Sequence, residues 1–296
     1  MVFFSWKSPE IVLSSRCKIG HWAMNIITSF IYPSVHIAEN KLIRHFNGKT
    51  VVIVGASHGI GEALATRLMY ANCRLILIAR TEDKLKSICV KAQQNGCQAE
   101  YHALDLRDQE ALNEFIKSMS VELERIDYLF YNAGKSINRN ICNATERIND
   151  YDRTMSVNYR AMVALSLGLF EKLKTAKGKL IYTSSVSTLY PAAPGWSAYH
   201  ASKSASNVWC ETASVEWRKI GVRTKVAYMP LVHTAMSDAN EKYRKMPAYS
   251  KEEAAKQLLK LSMNNRYCYK PWWARISAPL SYLLSPIIKQ IYKRIA

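Results

Sequence analysis

The chain has 296 residues, of which 49% are hydrophobic and 22% are charged, and its formal net charge is +18. These proportions are typical of a folded protein and argue against a disordered or fibrous chain. Since a single core grows to roughly 250–300 residues before chains tend to divide, we expect one large domain with extensions.

The N-terminal extension covers residues 1–48 and contains an apolar run at residues 22–31. A helix that spans a bilayer needs about 20 apolar residues, so this shorter run predicts an interfacial or core-covering helix. The extension ends in the polar turn Phe46-Asn47-Gly48-Lys49, which directly precedes an apolar stretch.

Strands and helices alternate from residue 49 onward. Helices are predicted from about residues 59 and 82, over residues 109–122, and in the longer intervals that follow. Six strands are predicted at residues 51–54, 74–79, 99–104, 127–131, 179–183 and 222–229. This alternation indicates an α/β fold with a doubly wound parallel sheet of the Rossmann type. We assign residues 49–265 to this dinucleotide-binding and catalytic domain.

A glycine-rich loop joins the first predicted strand to the first predicted helix, with the spacing G-x3-G-x-G. Glycine lets the backbone approach a pyrophosphate closely, and the free N–H groups at a helix N-terminus favour its negative charge. Because a strand precedes the loop and a helix follows it, we interpret it as a dinucleotide site rather than a turn without a ligand. The expected contacts are Gly55, Ser57, His58, Gly59, Ile60 and Gly61.

Arg80 follows the second predicted strand, at a position where an NAD-dependent enzyme usually has an acidic residue for the ribose 2′-hydroxyl. The planar guanidinium of Arg80 can instead pair with a 2′-phosphate, and Lys84 or His58 can add to that pairing. The alternative is a solvated cation without a ligand. The sequence therefore favours NADPH over NADH as the cofactor.

Further motifs follow the later strands in a fixed order. They are Asp105-Leu106, Asn132-Ala133-Gly134, Asn158, Ser184-Ser185 and Tyr199-His200-Ala201-Ser202-Lys203. A Tyr-x3-Lys pair alone is common, but the whole set together with the glycine loop is specific. Over about residues 48–262 the chain resembles the short-chain dehydrogenase/reductase family.

The resemblance implies further coenzyme contacts beyond the glycine loop and Arg80. The residues concerned are Asp105, Leu106, Asn132, Ala133, Gly134, Tyr199 and Lys203. After the sixth predicted strand, the family often has Pro-Gly-x-x-x-Thr, whereas this chain has Pro230-Leu231-Val232-His233-Thr234. The resemblance implies that the Val232 backbone and the Thr234 hydroxyl hold the nicotinamide carboxamide.

The resemblance also implies the reaction. Hydride from the coenzyme attacks a carbonyl carbon, so a proton must reach the carbonyl oxygen, and Tyr199 is the implied acid. Lys203 lies one helical turn further on the same face and can stabilise the phenolate. Ser185 is implied to hydrogen-bond the carbonyl oxygen, and Asn158 to hold a water in a proton relay through Lys203.

Two assignments within these motifs have alternatives. Ser184 competes with Ser185 for contact with the carbonyl oxygen, and the interval from Asn158 favours Ser185. His200 lies between the two catalytic residues in sequence, but we expect it to face the other side of the helix and to be structural.

Four stretches resemble one branch of the family, the bacterial membrane-associated reductases of long acyl chains, which include long-chain acyl-CoA reductases. The stretches are residues 132–139, 152–155, 229–236 and 250–255. Residues 234–249 lie where the family places a mobile lid that excludes water. We therefore predict an NADPH-dependent reductase of a hydrophobic acyl or lipid carbonyl. The alternatives are a dehydrogenase of another hydrophobic alcohol or ketone, and a cofactor-binding scaffold without activity.

Positive charge is concentrated in the C-terminal segment, to which we assign residues 266–296. Residues 256–296 contain eight Lys or Arg and no Asp or Glu, interleaved with Trp and Tyr. This mixture favours peripheral contact with an anionic membrane over a nucleic-acid partner. The apolar run at residues 276–295 predicts a surface-lying membrane helix, with a subunit-contact or core-covering helix as the alternative.

Seven scattered cysteines bear on the compartment and on metal binding. Their number is odd, and their spacing matches neither a metal site nor a redox pair. We therefore expect reduced thiols, no metal site and a cytoplasmic location, with possible contact at the inner face of a membrane left open. The family resemblance implies a homo-oligomer that assembles through long helices, including the Tyr199 helix.

Overall fold

The computed structural model describes residues 29–238 and 240–295. The chain divides into one unit of residues 1–34 and a second unit of residues 35–296. In the first unit the described residues 29–31 are helical. The rest of the helix predicted at residues 22–31 lies outside the described residues.

A parallel sheet of seven strands, in the order β3-β2-β1-β4-β5-β6-β7, forms the centre of the second unit. The strands are β1 (Thr50–Val54), β2 (Arg74–Ala79), β3 (Gln98–Ala103), β4 (Tyr128–Tyr131), β5 (Lys179–Ser185), β6 (Arg223–Met229) and β7 (Cys268–Tyr269). Strands β1, β2 and β4 are almost wholly buried, which explains their continuous apolar runs. The doubly wound parallel sheet that the sequence predicts is confirmed.

Helices connect these strands and cover the sheet. In chain order they are α1 (Glu39–Phe46), α2 (Gly59–Leu68), α3 (Glu82–Gln94), α4 (Gln109–Glu122), α5 (Ile148–Met155), α6 (Ala161–Gly168), α7 (Phe170–Ala176), α8 (Ser197–Glu216), α9 (Ala235–Asp238), α10 (Glu241–Arg244), α11 (Lys251–Met263), α12 (Trp272–Leu283) and α13 (Ser285–Ile295). A π-helical turn, Ser156–Arg160, separates α5 from α6.

Five of the six predicted strands differ from the observed ones by one or two residues at an end, and one observed strand was not predicted. Strand β3 begins and ends one residue earlier than predicted. Strand β7 was not predicted, because two residues are too few to show any periodicity. It lies just after residue 265 and pairs with β6 through Val226 and Ala227.

Two lysines at the amino ends of β5 and β6 hold the end of α11. Lys179 Nζ donates to the Ser262 carbonyl at 2.6 Å, and Lys225 Nζ donates to the carbonyls of Asn264 at 3.0 Å and Arg266 at 2.5 Å. Ammonium groups are favourable at a helix C-terminus, where carbonyls lack helical partners. Burial lowers the pKa of Lys225 to about 8.

The six cysteines in the described part of the chain are all free. Cys73 and Cys97 each immediately precede one of the neighbouring strands β2 and β3, and their Sγ atoms lie 3.9 Å apart. Within the described residues no group of His, Cys, Asp and Glu is arranged to bind a metal. None of the helices in residues 29–238 and 240–295 combines the length and the hydropathy that a membrane span requires.

Candidate active site

The predicted site residues are brought together beyond the carboxyl ends of β1, β4, β5 and β6. The glycine loop follows β1, Asn132 follows β4, and Ser185 ends β5. Beside them, α8 carries Tyr199 and Lys203. Ligands of open parallel sheets bind at this edge, where the strand order changes direction.

The glycine loop packs against the chain that follows β4. Gly55 has φ +85°, and a Cβ there would lie 2.7 Å from the Ala133 nitrogen. A Cβ on Gly61 would overlap the Gly55 carbonyl oxygen. Gly59 has φ +60°, and its Cβ would lie 3.0 Å from Thr234 Cγ2. These approaches require glycine, and they place the N-terminus of α2 beside the site.

Two features of the site fit the nucleotide cofactor that the fold implies. Helix α2 begins after His58, whose side chain makes no cap hydrogen bond, so the first-turn N–H groups can face a pyrophosphate. Asn132 Nδ2 is buried without a hydrogen-bond partner in the described part of the chain, while its Oδ1 accepts from Thr183 Oγ1 at 2.5 Å. When bound, a nicotinamide cofactor would supply the hydride.

Arg80 is exposed one residue after the end of β2. The structure adds a second cation, Arg107, which pairs with the predicted site residue Asp105 through Nη2 at 2.5 Å. Hydrogen bonds from Arg107, with a weaker attraction from Arg80, hold the pKa of Asp105 below its usual range. Leu106, the residue between Asp105 and Arg107 in sequence, is buried in the hydrophobic core. Arg107 was not predicted from the sequence, because a basic residue two positions after Asp105 indicates only a polar turn after β3.

Lys203 is buried one helical turn after Tyr199. Its Nζ donates to the Thr183 carbonyl at 2.9 Å and lies 4.8 Å from the centroid of the Tyr182 ring. Burial lowers the pKa of Lys203 to about 7, because an ammonium group loses hydration in the interior. A Cβ on Gly134 would lie 3.6 Å from this Nζ, so the Asn-Ala-Gly turn lies directly against the lysine.

Ser185, which the sequence favoured over Ser184 for contact with the substrate carbonyl oxygen, ends β5 beside Tyr199. The Ser185 Oγ lies 2.9 Å from Ser187 Oγ, and the hydroxyl is also near enough to the Tyr199 phenol to affect its pKa. Burial raises the pKa of Tyr199, and the Ser185 hydroxyl opposes that shift. Ser184 is also buried, but its Oγ has no hydrogen-bond partner in the described part of the chain. Neighbouring strand residues point to opposite faces of the sheet, which explains the difference.

Asn158 lies in the π-helical turn and is fully buried. Its Oδ1 accepts from the Lys135 N–H at 2.7 Å, and its Nδ2 donates to the Lys135 carbonyl at 2.9 Å and to Ser202 Oγ at 2.8 Å. Its own carbonyl accepts from Ser206 Oγ at 2.7 Å. Asn158 therefore ties the loop after β4 to helix α8, and π-helical turns are frequent at functional sites.

The chain after β6 returns over the glycine loop. Val232 pairs with Tyr249 in an isolated bridge, and its carbonyl accepts from Ser237 Oγ at 2.8 Å. The Thr234 N–H donates to the same Ser237 Oγ at 3.0 Å. This places Thr234 beside Gly59, at the edge where the cofactor contacts are expected.

An aromatic cluster that was not predicted from the sequence surrounds Tyr199. Trp196 lies edge-on to Tyr199 at 5.9 Å between ring centroids, and it stacks on Tyr243 at 6.2 Å and on His200 at 6.5 Å. Tyr243 belongs to α10, within the stretch predicted as a lid. Trp196 carried no signal in the sequence, because the loop before α8 has no periodic pattern.

Residues 49–245 match the family model described as short chain dehydrogenase. The chain belongs to the short-chain dehydrogenase/reductase family. This confirms the family that the motifs predicted. Two relatives are fatty acyl-CoA reductases, as the branch resemblance predicted: one from Acinetobacter baylyi, 33% identical over 82% of each chain, and one from Mycobacterium tuberculosis, 32% identical over 72% of each.

A solved structure in the same family aligns with this chain. It is a metagenomic short-chain oxidoreductase in complex with NADP, with a TM-score of 0.63 and 26% identity. The alignment covers 74% of this chain and 92% of that one. As a short-chain dehydrogenase/reductase, the chain is an oxidoreductase of the kind that uses a nicotinamide cofactor.

Proposed function

We propose that this protein uses NADPH to reduce the carbonyl group of a long-chain acyl or lipid substrate, with Tyr199 as the proton donor. The observation that carries the proposal is the position of Ser185, Tyr199 and buried Lys203 beside one another, next to an uncapped glycine-loop helix. The two fatty acyl-CoA reductases among the relatives support the substrate class.

Each side chain has a distinct part in the proposed reaction. Hydride adds to the carbonyl carbon, and the Tyr199 hydroxyl gives its proton to the oxygen as negative charge builds there. Ser185 donates a hydrogen bond to the same oxygen. Lys203 stabilises the phenolate that remains, and Asn158 anchors the relay that returns a proton through Lys203.

Two arginines support NADPH over NADH. Arg80 and Arg107 lie near the Asp105 carboxylate, at the end of the site where we expect a ribose 2′-phosphate to bind. A guanidinium can bind a phosphate through two parallel hydrogen bonds. We expect Arg80→Ala to raise the KM for NADPH on the order of tenfold and to change that for NADH little. An equal effect on both cofactors would refute the assignment.

Other properties of the chain are proposed with it. We propose the predicted division at residues 48 and 265, a homo-oligomer, a cytoplasmic location, and peripheral contact with an anionic membrane through the basic C-terminal segment. The alternative of an inactive scaffold is disfavoured, because Asn158, Ser185, Tyr199 and Lys203 are present and lie together.

The test is oxidation of NADPH and NADH by the purified chain in detergent, with long-chain acyl-CoAs, β-ketoacyl thioesters and hydrophobic ketones as substrates. Turnover of a long-chain substrate that is lost in Tyr199→Phe would support the proposal. Turnover only of a small ketone would favour the alternative dehydrogenase. NADPH binding without turnover on any substrate would favour the scaffold, and absence of NADPH binding would refute the proposal.

A further inference from the structure

Helix α12 has an unusual distribution of side chains. It buries small residues, Ala274, Ala278 and Ser281. Its large apolar residues face outward instead, with Ile276 68% exposed and Leu283 79% exposed. A helix at the surface of a soluble protein normally buries its large apolar side chains, so this outer face suits an apolar or interfacial environment.

Helix α13, which follows α12 in the chain, also exposes apolar side chains and adds positive charge. Ile287 and Ile291 are exposed and lie one turn apart on one side of the helix. Lys289 and Lys293 are exposed on the opposite side. A helix with one apolar face and one lysine-bearing face can lie in the plane of a membrane interface.

The charge of this region identifies the partner. The sequence from residue 256 to residue 296 contains cations and no acidic side chain. In a symmetric dimer formed through this face, the same surface of the two copies would be in contact. The lysines of one copy would then lie near those of the other, and their like charges would repel. Anionic lipid headgroups neutralise the same charges, and the apolar face then enters the acyl layer.

The face is also attached to the active site. Tyr190 Oη lies 2.6 Å from Ser277 Oγ on α12. Tyr190 follows the 3-10 helix Val186–Leu189, which begins directly after Ser185, and Thr188 Oγ1 in that helix donates to the Ser185 carbonyl at 2.7 Å. The Tyr190–Ser277 hydrogen bond therefore joins the loop of the proposed catalytic serine to α12.

We propose that the outer faces of α12 and α13 dock on an anionic bilayer, and that the Tyr190–Ser277 contact couples this docking to the Ser185 loop. A long-chain substrate then reaches the site from the bilayer. Docking is independent of the proposed reaction, whereas the coupling to turnover rests on it.

Docking is tested with the full chain and sedimented vesicles, either phosphatidylcholine alone or phosphatidylcholine mixed with phosphatidylglycerol. We expect binding to the mixed vesicles that weakens with salt, and a roughly tenfold loss of bound protein in Leu283→Asp/Ile287→Asp. Lys289→Glu/Lys293→Glu should lose most of its binding to the anionic vesicles.

The control for this experiment is Val121→Asp, which places an aspartate at an exposed position of α4 and should bind vesicles as the wild type does. Circular dichroism melts check that all variants fold.

Equal binding of Leu283→Asp/Ile287→Asp and the wild type would overturn the docking proposal. So would a wild-type dimer without lipid that Leu283→Asp/Ile287→Asp converts to a monomer in sedimentation velocity, because the face would then be a contact between copies. Neither measurement needs turnover. Reduction of acyl-CoA in detergent without vesicle binding would refute docking and leave the proposed reaction standing.

Coupling is tested by turnover with and without anionic vesicles. We expect vesicles to raise the wild-type kcat/KM for a long-chain substrate severalfold. Ser277→Ala should bind vesicles as the wild type does and retain its activity in detergent, but it should lose most of this stimulation. Stimulation of Ser277→Ala equal to that of the wild type would overturn the coupling.

Discussion

Two adjacent serines at the end of β5 have different surroundings. Ser185 contacts the Tyr199 phenol, whereas the buried Ser184 hydroxyl lacks a hydrogen-bond partner in the described part of the chain. A hydroxyl buried without a partner costs free energy, while one that donates to a reacting oxygen lowers a barrier. Substitution of each serine therefore distinguishes the proposed catalytic role of Ser185 from an effect on stability.

Ser185→Ala is expected to lower kcat/KM on the order of 10²-fold, because one hydrogen bond to the developing oxyanion is lost. Ser184→Ala should leave kcat/KM nearly unchanged and alter the free energy of unfolding by less than about 1 kcal/mol. Steady-state kinetics and urea unfolding of both variants provide the check. A larger kinetic loss in Ser184→Ala than in Ser185→Ala would reverse the assignment.

Lys203 gives the cofactor-free protein a pH-dependent stability. Its pKa is about 7 in the folded chain, and an unfolded lysine titrates near about 10.4, so between these values the unfolded chain binds more protons. The contribution of Lys203 to the free energy of unfolding therefore rises with pH across this window. The cost of burying the charged form is complete below about pH 7 and declines as the pH rises.

Lys203→Met removes this titration while keeping a long side chain. The difference in unfolding free energy, variant minus wild type, should be greater at pH 6 than at pH 9 by on the order of 2 kcal/mol. Lys225 and the other titrating groups are present in both proteins, so their effects cancel. Denaturant unfolding at the two pH values measures the difference. If that difference does not change with pH, burial does not lower the pKa of Lys203 in the folded chain.

At the scale of elements, the turn from β1 into α2 depends on a backbone contact within the glycine loop. A Cβ on Gly61 would overlap the Gly55 carbonyl, and Gly55 itself lies against the chain after β4. The loop therefore cannot admit a methyl group without moving away from β4. Since that movement would displace the uncapped N-terminus of α2, folding and cofactor binding depend on the same contact.

Gly61→Ala is expected to destabilise the chain by about 2 kcal/mol or more and to weaken NADPH binding at least roughly tenfold. Gly96→Ala is the matched control, because Gly96 has φ +77° but open space around its Cβ position. That control should cost about 1 kcal/mol through backbone strain alone and leave binding unchanged. Thermal melts and titration calorimetry compare the two. Normal NADPH affinity in Gly61→Ala would contradict the role given to this loop.

At the scale of the whole molecule, helix α8 offers a surface for assembly. It exposes Val208 and Val215, two turns apart on one face, while its other face carries Tyr199 and Lys203, the proposed catalytic pair. Exposed apolar side chains on a long helix fit the homo-oligomer that the family resemblance implies. Assembly there would hold α8, and with it Tyr199 and Lys203, on a rigid support.

We expect the wild type to be a dimer or larger in light scattering after size exclusion. Val208→Asp/Val215→Asp should give a smaller species, because buried carboxylates without partners oppose association. Val121→Asp, on α4, should leave the molar mass unchanged. A wild-type monomer at micromolar concentration, or a double variant that assembles normally, would exclude this helix as the contact.

The sequence by itself determined the features that depend on local pattern. Short apolar runs between stretches with helical periodicity predict parallel strands, and the glycine spacing predicts a tight turn into a helix. Both features follow from backbone geometry over a few residues. The order of the motifs then identified the family. Strand β7 was beyond this reasoning because it is too short to carry a pattern.

Only the tertiary structure decided which distant residues meet. The stacking of Tyr243 on Trp196, the approach of Cys73 to Cys97 and the Tyr190–Ser277 contact each depend on how separate elements pack. The outward direction of the large side chains of α12 likewise depends on packing, because the face with the small residues is the one buried against the rest of the chain. Periodicity shows that a helix has two faces, but only packing decides which of them is buried.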